Sequence, residues 1–333
     1  MNAALPQGVS EFELATLPLL RLRVQAIRLQ ADAIHAFELV DPDGAELPLA
    51  TAGAHVDVHL PDGLVRSYSL SGDPADCSFW TLGVLREVNG GGGSKAMHDS
   101  LRVGELLTVS QPRNAFAMVP GAAHTVLLAG GIGITPIKAM AHTLTAEGKS
   151  FELHYCARTP RNVAFTRELR ALVPPDRLHF HFDNGVPGQG LNITSLLKQQ
   201  PAGAHLYYCG PGGFMKACDQ ASTHWAPGSV HFEHFKPPEP AAKATPDASF
   251  EVRLARRGIT VPVLPDQTIV RAIELAGFRV PTSCLSGLCG SCKVDYLEGE
   301  VEHNDYILSD EEKTHCLTVC VSRARSPLLV LDL

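Results

Sequence analysis

No stretch of the 333 residues stays apolar long enough to cross a bilayer, and the longest apolar runs, such as TVLLAG, have the length of a buried strand. The first twenty residues, MNAALPQGVSEFELATLPLL, lack the basic start and long apolar segment of a secretory signal. A membrane span and a secreted disulfide framework are therefore disfavoured, and the expected compartment is the cytoplasm. Positive charge is in short supply too. The chain has 28 Lys and Arg against 35 Asp and Glu, a formal charge of −7, which argues against a nucleic-acid binder. There is no internal repeat, no low-complexity tract, and neither an H-E-x-x-H nor a G-x-S-x-G segment.

What remains is the make-up of a globular chain, 45% hydrophobic and 19% charged, long enough for two or three domains. Charge is spread unevenly. Residues 1–120 hold 8 basic and 14 acidic side chains, whereas 121–236 hold 10 and 7. A positive middle suits a domain that binds a small anion such as a dinucleotide. The segment KPPEPAAKATPDAS, rich in proline and without apolar periodicity, reads as an exposed linker over 237–248.

The grammar differs on either side of residue 120. Before it, short alternating stretches such as HVDVHL and SYSLSG, broken by DPDG, PDG and GDP turns, predict an antiparallel β-barrel. After it, HTVLLAG, FELHYCAR, RLHFHFD and AHLYYCG read as strands separated by helices such as IKAMAHTLTAEG, which predicts a parallel α/β sheet. Beyond the linker, SFEVRLARRGITVPVLP reads as two strands turning at Arg257–Gly258, and TIVRAIELAGF as a short helix stopping at Gly277. The expected division is thus 1–120, 121–236, a linker at 237–248, and a small β-rich domain at 249–333.

Nine cysteines in a cytosolic-looking chain point to metal or redox chemistry. Cys284, Cys289 and Cys292 form C-x4-C-x2-C, and Cys320 follows after 27 intervening residues, the spacing of a plant-type 2Fe-2S centre. Gly287 and Gly290 permit the sharp turns that aim backbone amides at sulfur. A zinc ribbon would prefer two C-x2-C pairs, and this chain has one. Cys316 competes with Cys320 for the fourth position at a shorter spacing. Cys77, Cys156 and Cys218 read as small buried hydrophobes.

Two glycine-rich turns carry the nucleotide signal. LLAGGIGITPI, residues 127–137, sets a tight turn between strand and helix, where backbone can approach a pyrophosphate. It departs from G-x-G-x-x-G, because Pro136 stands at the third glycine. No acid ends the following strand; Arg158 and Arg161 are there instead, so a 2′-phosphate and NADPH remain open. Cys209–Gly210–Pro211 ends another strand at a helix start. In the barrel, RSYS (Arg66, Ser67, Tyr68, Ser69) offers a phosphate fork, an aromatic face and short donors, and Gly90–Gly93 with Ser94 exposes amides. His179 and His181 alternate along one strand, a pair that is either structural or metal-binding.

RSYS, GGS, GGIGITPI, CGP and the ferredoxin cysteines, in this order, resemble the ferredoxin–NADP reductase superfamily. More narrowly, the chain resembles the phthalate dioxygenase reductase and vanillate O-demethylase reductase family, from about residue 18 to the C-terminus. HFEHF before the linker and CVSRA around Cys320 are specific features of the match. The resemblance implies a flavin barrel, an NAD-binding α/β domain and a C-terminal β-grasp ferredoxin domain. It implies that Arg66, Ser67, Tyr68 and Ser69 hold FMN, with FAD the less favoured flavin. Val84, Leu85 and Arg86 would line it, and Gly92, Gly93 and Ser94 would reach its phosphate. Gly131, Gly133, Thr135, Pro136 and Arg158 would place NADH, Cys209, Gly210 and Pro211 would lie under the nicotinamide, and Phe235, or failing it Phe232, would shield the flavin. Cys284, Cys289, Cys292 and Cys320 would hold the 2Fe-2S cluster. The implied enzyme is an NADH-dependent oxidoreductase, a monomer with no nucleic-acid or membrane partner, with redox steps run by cofactors rather than by catalytic side chains. It would pass single electrons to a Rieske-type oxygenase that hydroxylates or O-demethylates an aromatic acid. Two competing readings are a stand-alone NAD(P)H oxidase or dye reductase, and a non-enzymatic iron–sulfur sensor.

Overall fold

The computed structural model describes residues 19–60, 63–186, 188–237 and 248–333. Of the expected linker, residues 238–247 lie outside the described residues, as do residues 1–18 of the expected first domain. The chain separates into two compact units, Leu17–Lys236 and Pro237–Leu333.

The larger unit opens with six antiparallel strands: β1 (Leu20–Ala31), β2 (Ile34–Val40), β3 (His55–His59), β4 (Val65–Ser69), β5 (Trp80–Leu85) and β6 (Leu106–Val109), in the order β4-β3-β6-β1-β2-β5. Leu70 bridges Leu82 and the Ser71 amide donates to Thr81 O at 2.9 Å, so the outer strands meet and the sheet closes as a barrel. Closure removes the free strand edges on which another chain could pair. Val56 and Val58 on β3 join Leu22, Val24, Phe37, Leu39 and Leu82 in its core, as the two-residue period requires. Helix α1 (Gly93–Asp99) packs fully buried Met97 into the same core.

Five parallel strands follow: β7 (His124–Gly130), β8 (Phe151–Ala157), β9 (Leu178–Phe182), β10 (Ala204–Cys209) and β11 (Val230–Glu233), ordered β11-β10-β7-β8-β9. Central β7 is apolar on both sides because both of its faces are covered. On one face, α2 (Ile134–Ala146) and α3 (Thr166–Leu172) bring Ile137, Met140, Leu144 and Leu169 against Leu127, Ala129, Leu153 and Tyr155. On the other, α4 (Ile193–Leu196) and α5 (Gly212–Ser222) pack with Val126, Leu128, Leu206 and Tyr208. Helix α2 starts three residues before the periodic apolar pattern does. Pro136 falls in its first turn, where a missing N–H leaves no intrahelical bond unmade.

A single buried cation ties this sheet to the barrel. Lys138 on α2 is 3% exposed; its Nζ donates to Ser71 O at 2.8 Å, lies 2.6 Å from Glu168 Oε2 on α3, and sits over the Phe165 ring at 5.0 Å. Lys138→Met keeps the apolar stem but leaves the Ser71 carbonyl without the Lys138 donor and Glu168 without its cation. The expected loss is about 1–3 kcal/mol, much of it the cost of an unsatisfied buried carbonyl. A denaturant midpoint that does not move would show that the ion adds nothing to the junction.

The smaller unit is a β-grasp. Its strands β12 (Phe250–Leu254), β13 (Ile259–Val263), β14 (Lys293–Glu298), β16 (Cys316–Thr318) and β18 (Leu328–Leu331) are ordered β13-β12-β18-β14-β16, with β12 and β18 parallel; β15 (Val301–Glu302) and β17 (Arg323–Ala324) pair separately. Helix α6 (Ile269–Leu275) lays Ile269, Val270 and Ile273 on the sheet and stops just before Gly277. No helix among the described residues is long and apolar enough to cross a membrane.

Candidate functional site

Arg66 and Tyr68 lie on β4, and the Gly90–Gly93 run leads into α1. The Arg66 guanidinium donates to Val65 O at 2.8 Å and to Gly91 O at 2.7 Å. A Cβ at Gly91 would stand 2.9 Å from Arg66 Nη2, and one at Gly93 would stand 2.4 Å from its Cγ. Only glycine lets the loop wrap this arginine, which leaves a cation beside bare backbone, a fit for a phosphate. Ser94 Oγ accepts from the Glu87 amide at 3.0 Å, fixing the loop's other end. Tyr68 packs against the barrel core, and burial pushes its phenol up to about 12.

Other barrel residues named from the sequence have different surroundings. Val84 points into the core, and its carbonyl faces His98 Nε2 at 2.9 Å. Leu85 packs towards the parallel-sheet core. The Arg86 guanidinium is committed to Asp99 through two bonds of 2.9 and 2.7 Å, and Ser67 Oγ donates to Asp57 at 2.7 Å.

The glycine turn lies beside the end of β10. Gly131 has φ +53°, and Gly133 is pressed so close to β10 that a Cβ would stand 2.1 Å from Cys209 O. Thr135 Oγ1 donates to Ile132 O at 3.1 Å, holding the turn, and Pro211 is the N-cap of α5. Arg158 is exposed at the end of β8, and its side chain has no hydrogen bond or ion pair among the described residues. Phe235 is 38% exposed and Phe232 41%, the latter also stacking on Tyr208 at 5.4 Å.

One residue passed over in the sequence reading joins these parts. Glu233, in the HFEHF segment, pairs with Cys209 in the parallel register, and its Oε2 lies 3.4 Å from Ser69 Oγ on the barrel. Burial raises its carboxyl from 4.5 to about 8, partly offset by the Ser69 bond. The Cys209 thiol, fully buried, is raised well above its ordinary value by desolvation and then by the Glu233 charge. Ser69, Cys209 and Glu233 thus bring the RSYS strand, the CGP turn and the last strand to one point.

Because the folded state holds the Glu233 proton that the unfolded chain releases, this carboxyl contributes most below its unfolded value, and the contribution is lost as pH climbs through about 8. Between about pH 6 and pH 9 the wild-type chain should lose about 2–3 kcal/mol more stability than Glu233→Gln. Unfolding midpoints over that range check it; parallel curves would count against a protonated Glu233.

In the smaller unit the cysteine loop is built around sulfur. The amides of Ser286 and Leu288 donate to Cys284 Sγ at 3.4 Å, the Cys284 amide donates to Cys289 Sγ at 3.5 Å, and Ser291 Oγ stands 2.8 Å from Cys289 Sγ. Cys284 lies in hydrogen-bond contact with Cys289, and Cys320 with Cys292. The Cys289 thiol is lowered, first by the Cys284 thiol and then by Ser291. Four thiols in two adjoining pairs, with amides aimed at sulfur, are a donor set suited to two irons. Gly287 and Gly290 adopt φ +70° and +72°, and a Cβ at Gly287 would stand 2.7 Å from Val321 Cγ2. Cys316 Sγ donates instead to Glu312 O at 3.1 Å.

Residues 252–325 match the 2Fe-2S iron-sulfur cluster binding domain family, and residues 127–220 match the oxidoreductase NAD-binding domain family. Over 94% of its length the chain is 47% identical to a tert-butanol monooxygenase / tert-amyl alcohol desaturase reductase subunit of Aquincola tertiaricarbonis, covering 96% of that protein. Over 94% of its length it is 40% identical to the phthalate dioxygenase reductase of Burkholderia cepacia, covering 97% of it. The chain belongs to the phthalate dioxygenase reductase family. A vanillate O-demethylase oxidoreductase of Pseudomonas sp. strain HR199 is 46% identical, with 93% and 98% of the two chains covered. A solved phthalate dioxygenase reductase superposes with a TM-score of 0.71 at 40% identity, over 95% of this chain and 98% of the other. An intact type IV self-sufficient cytochrome P450 monooxygenase superposes at 0.87 and 35% identity; this chain spans 41% of that longer one. As a phthalate dioxygenase reductase family member the chain is an oxidoreductase with barrel, NAD-binding and ferredoxin parts, and the oxidase and sensor readings lose their footing.

Proposed function

We propose that this reductase takes electron pairs from NADH and releases them one at a time to the oxygenase component of a Rieske-type system, acting in the cytoplasm as a monomer. Residues up to 120 would carry FMN, 121–236 the nicotinamide nucleotide, and 249–333 the 2Fe-2S cluster. When bound, FMN supplies hydride acceptance and the cluster single-electron transfer. The side chains supply placement. Arg66 and the Gly92–Ser94 amides would hold the flavin phosphate, while Tyr68 and Ser69 would border its ring. Gly131, Gly133, Thr135 and Pro136 would seat the dinucleotide, Cys209, Gly210 and Pro211 would support the nicotinamide, and exposed Arg158 would meet the adenosine end. Phe235, with its ring half free, would cover the flavin until nicotinamide arrives. Cys284, Cys289, Cys292 and Cys320 would ligate the irons.

The observation that carries this reading is the meeting of Ser69, Cys209 and Glu233, which brings the end of the nucleotide-binding sheet to the RSYS strand. The relatives' names cover a tertiary alcohol, vanillate and phthalate. An electron carrier has no need of a pocket for any of them, so the partner oxygenase would choose the substrate. An anaerobic visible titration tests the proposal. Flavin and iron–sulfur bands should bleach together with sub-stoichiometric NADH. Bleaching by NADPH alone would overturn the coenzyme assignment, and a reconstituted protein without flavin bands would overturn the electron path.

A further inference from the structure

Outside the proposed redox site, the polar residues of β8 and β9 gather on one side of the parallel sheet. Glu152 and His154 alternate along β8, and His179 and His181 along β9; the register pairs His154 with His179 and Cys156 with His181, so all four share a face. Helices α4 and α5 pack on that face against β7 and β10. Over β8 and β9 imidazoles stand instead, stacked at 4.7 Å (His154 to His179) and 5.2 Å (His154 to His181). Glu152 and His154 lie in the first half of β8, whereas the glycine turn follows the far end of β7.

His154 is 6% exposed, and its two ring nitrogens have unlike surroundings. Nδ1 is 3.0 Å from His181 Nε2, a good hydrogen bond. Nε2 is buried with no hydrogen-bond partner, although Glu152 Oε2 stands 3.3 Å away. With Nδ1–H donating to His181, Nε2 turns its lone pair toward the Glu152 carboxylate, a place a cation fills, and the His181 bond then acts as the outer partner that fixes a ligating imidazole's tautomer. With the proton on Nε2 instead, His154 would donate to Glu152 and the pair would close without an ion, which is the outcome a titration without bound zinc would show. His179 supplies the third donor, and the three ligand atoms lie within 4.8 Å of one another.

We propose that Glu152, His154 and His179 form a site for a divalent transition-metal ion of the zinc class, separate from the proposed flavin, nucleotide and 2Fe-2S sites. Two imidazoles and a carboxylate match that ion's preferences and leave a fourth position for water. Tetrahedral bonds of about 2.0–2.1 Å need neighbouring donors about 3.4 Å apart, so half-buried Glu152 and His179 swing inward by about 1 Å on binding. His181, which touches His154 rather than the ion, is a positioning residue.

The test is a Zn2+ titration of the full chain, freed of adventitious metal and with flavin and cluster spectra intact, read by calorimetry and by competition with a chromophoric chelator. One ion per chain should bind. Glu152→Gln and His179→Gln, both at partly exposed positions, should each weaken binding at least about tenfold, and His181→Ala about 10–100-fold. His231→Gln, which alters the separate His205–His231 pair, should bind as the wild type does. Absence of stoichiometric zinc would overturn the site. So would zinc bound equally well by Glu152→Gln and His179→Gln, which would place the ion elsewhere, for instance at Asp295, His315 and Cys316.

Discussion

Cys292→Ser should leave NADH able to bleach the flavin while electron delivery to a one-electron acceptor protein falls to background. Cys292 is 3% exposed, its thiol meets that of Cys320, and its carbonyl accepts from the Val319 amide at 3.2 Å. The side chain therefore reaches its position through backbone that the substitution leaves in place. Serine retains the shape but offers a hydroxyl where iron prefers thiolate. In the proposed assignment the residues that would seat flavin and nicotinamide all lie in the other compact unit, so bleaching by NADH should not change. Cys316→Ser is the matched control, since that thiol donates to Glu312 O at 3.1 Å. Stopped-flow reduction by NADH, with electron paramagnetic resonance of the reduced cluster, separates the two halves. A Cys292→Ser protein with a normal cluster signal would remove this cysteine from the ligand set, and loss of the signal in Cys316→Ser would put Cys316 there.

Gly133→Ala is expected to have the second large effect, from one added methyl group. The new Cβ would stand 2.1 Å from Cys209 O, 2.4 Å from Cys209 C and 2.7 Å from Gly210 N, all of them backbone atoms. No side-chain rotation relieves that overlap. The turn and the end of β10 must part, and overpacking of this kind costs about 1–3 kcal/mol or more. Gly131→Ala is the informative comparison. Its Cβ would meet nothing within 4 Å, so only the φ of +53° opposes it, at about 1–2 kcal/mol. Gly133→Ala should therefore unfold at lower denaturant than Gly131→Ala and should also lose NADH-dependent bleaching. Equal midpoints and equal NADH affinities in the two variants would mean that the close approach of turn to strand does not matter.

Local pattern is legible in the sequence. Cys284, Cys289 and Cys292, the glycine turn and the RSYS strand each sit on one continuous stretch, and the strand and helix positions follow from two- and 3.6-residue periods. What depends on register is not legible there. Nothing in HFEHF by itself marks Glu233 as a carboxyl held protonated; that depends on the parallel pairing of Glu233 with Cys209 and on Ser69 arriving from 164 residues earlier in the chain. Strand alternation likewise does not say which face of VLR turns inward; the place of β5 in the barrel puts the Val84 side chain in its core. Nor does VLR show that Asp99, 13 residues on, holds the Arg86 guanidinium. The histidines of LHFHF looked like an isolated pair because Glu152 and His154 join them only across the β8–β9 pairing.

Among the described residues, the apolar core of the iron–sulfur unit is drawn from Phe250 to Leu333, and the cores of the barrel and parallel sheet from residues before Lys236. A break in the gene between these segments would therefore strip neither product of its apolar interior. Evolution could then copy, fuse or exchange the cluster-bearing segment as a piece of coding sequence without redesigning the rest. Inheritance by such cassettes would let one electron-supplying ancestor serve unrelated oxygenases, either as a separate polypeptide or as a stretch of a longer one.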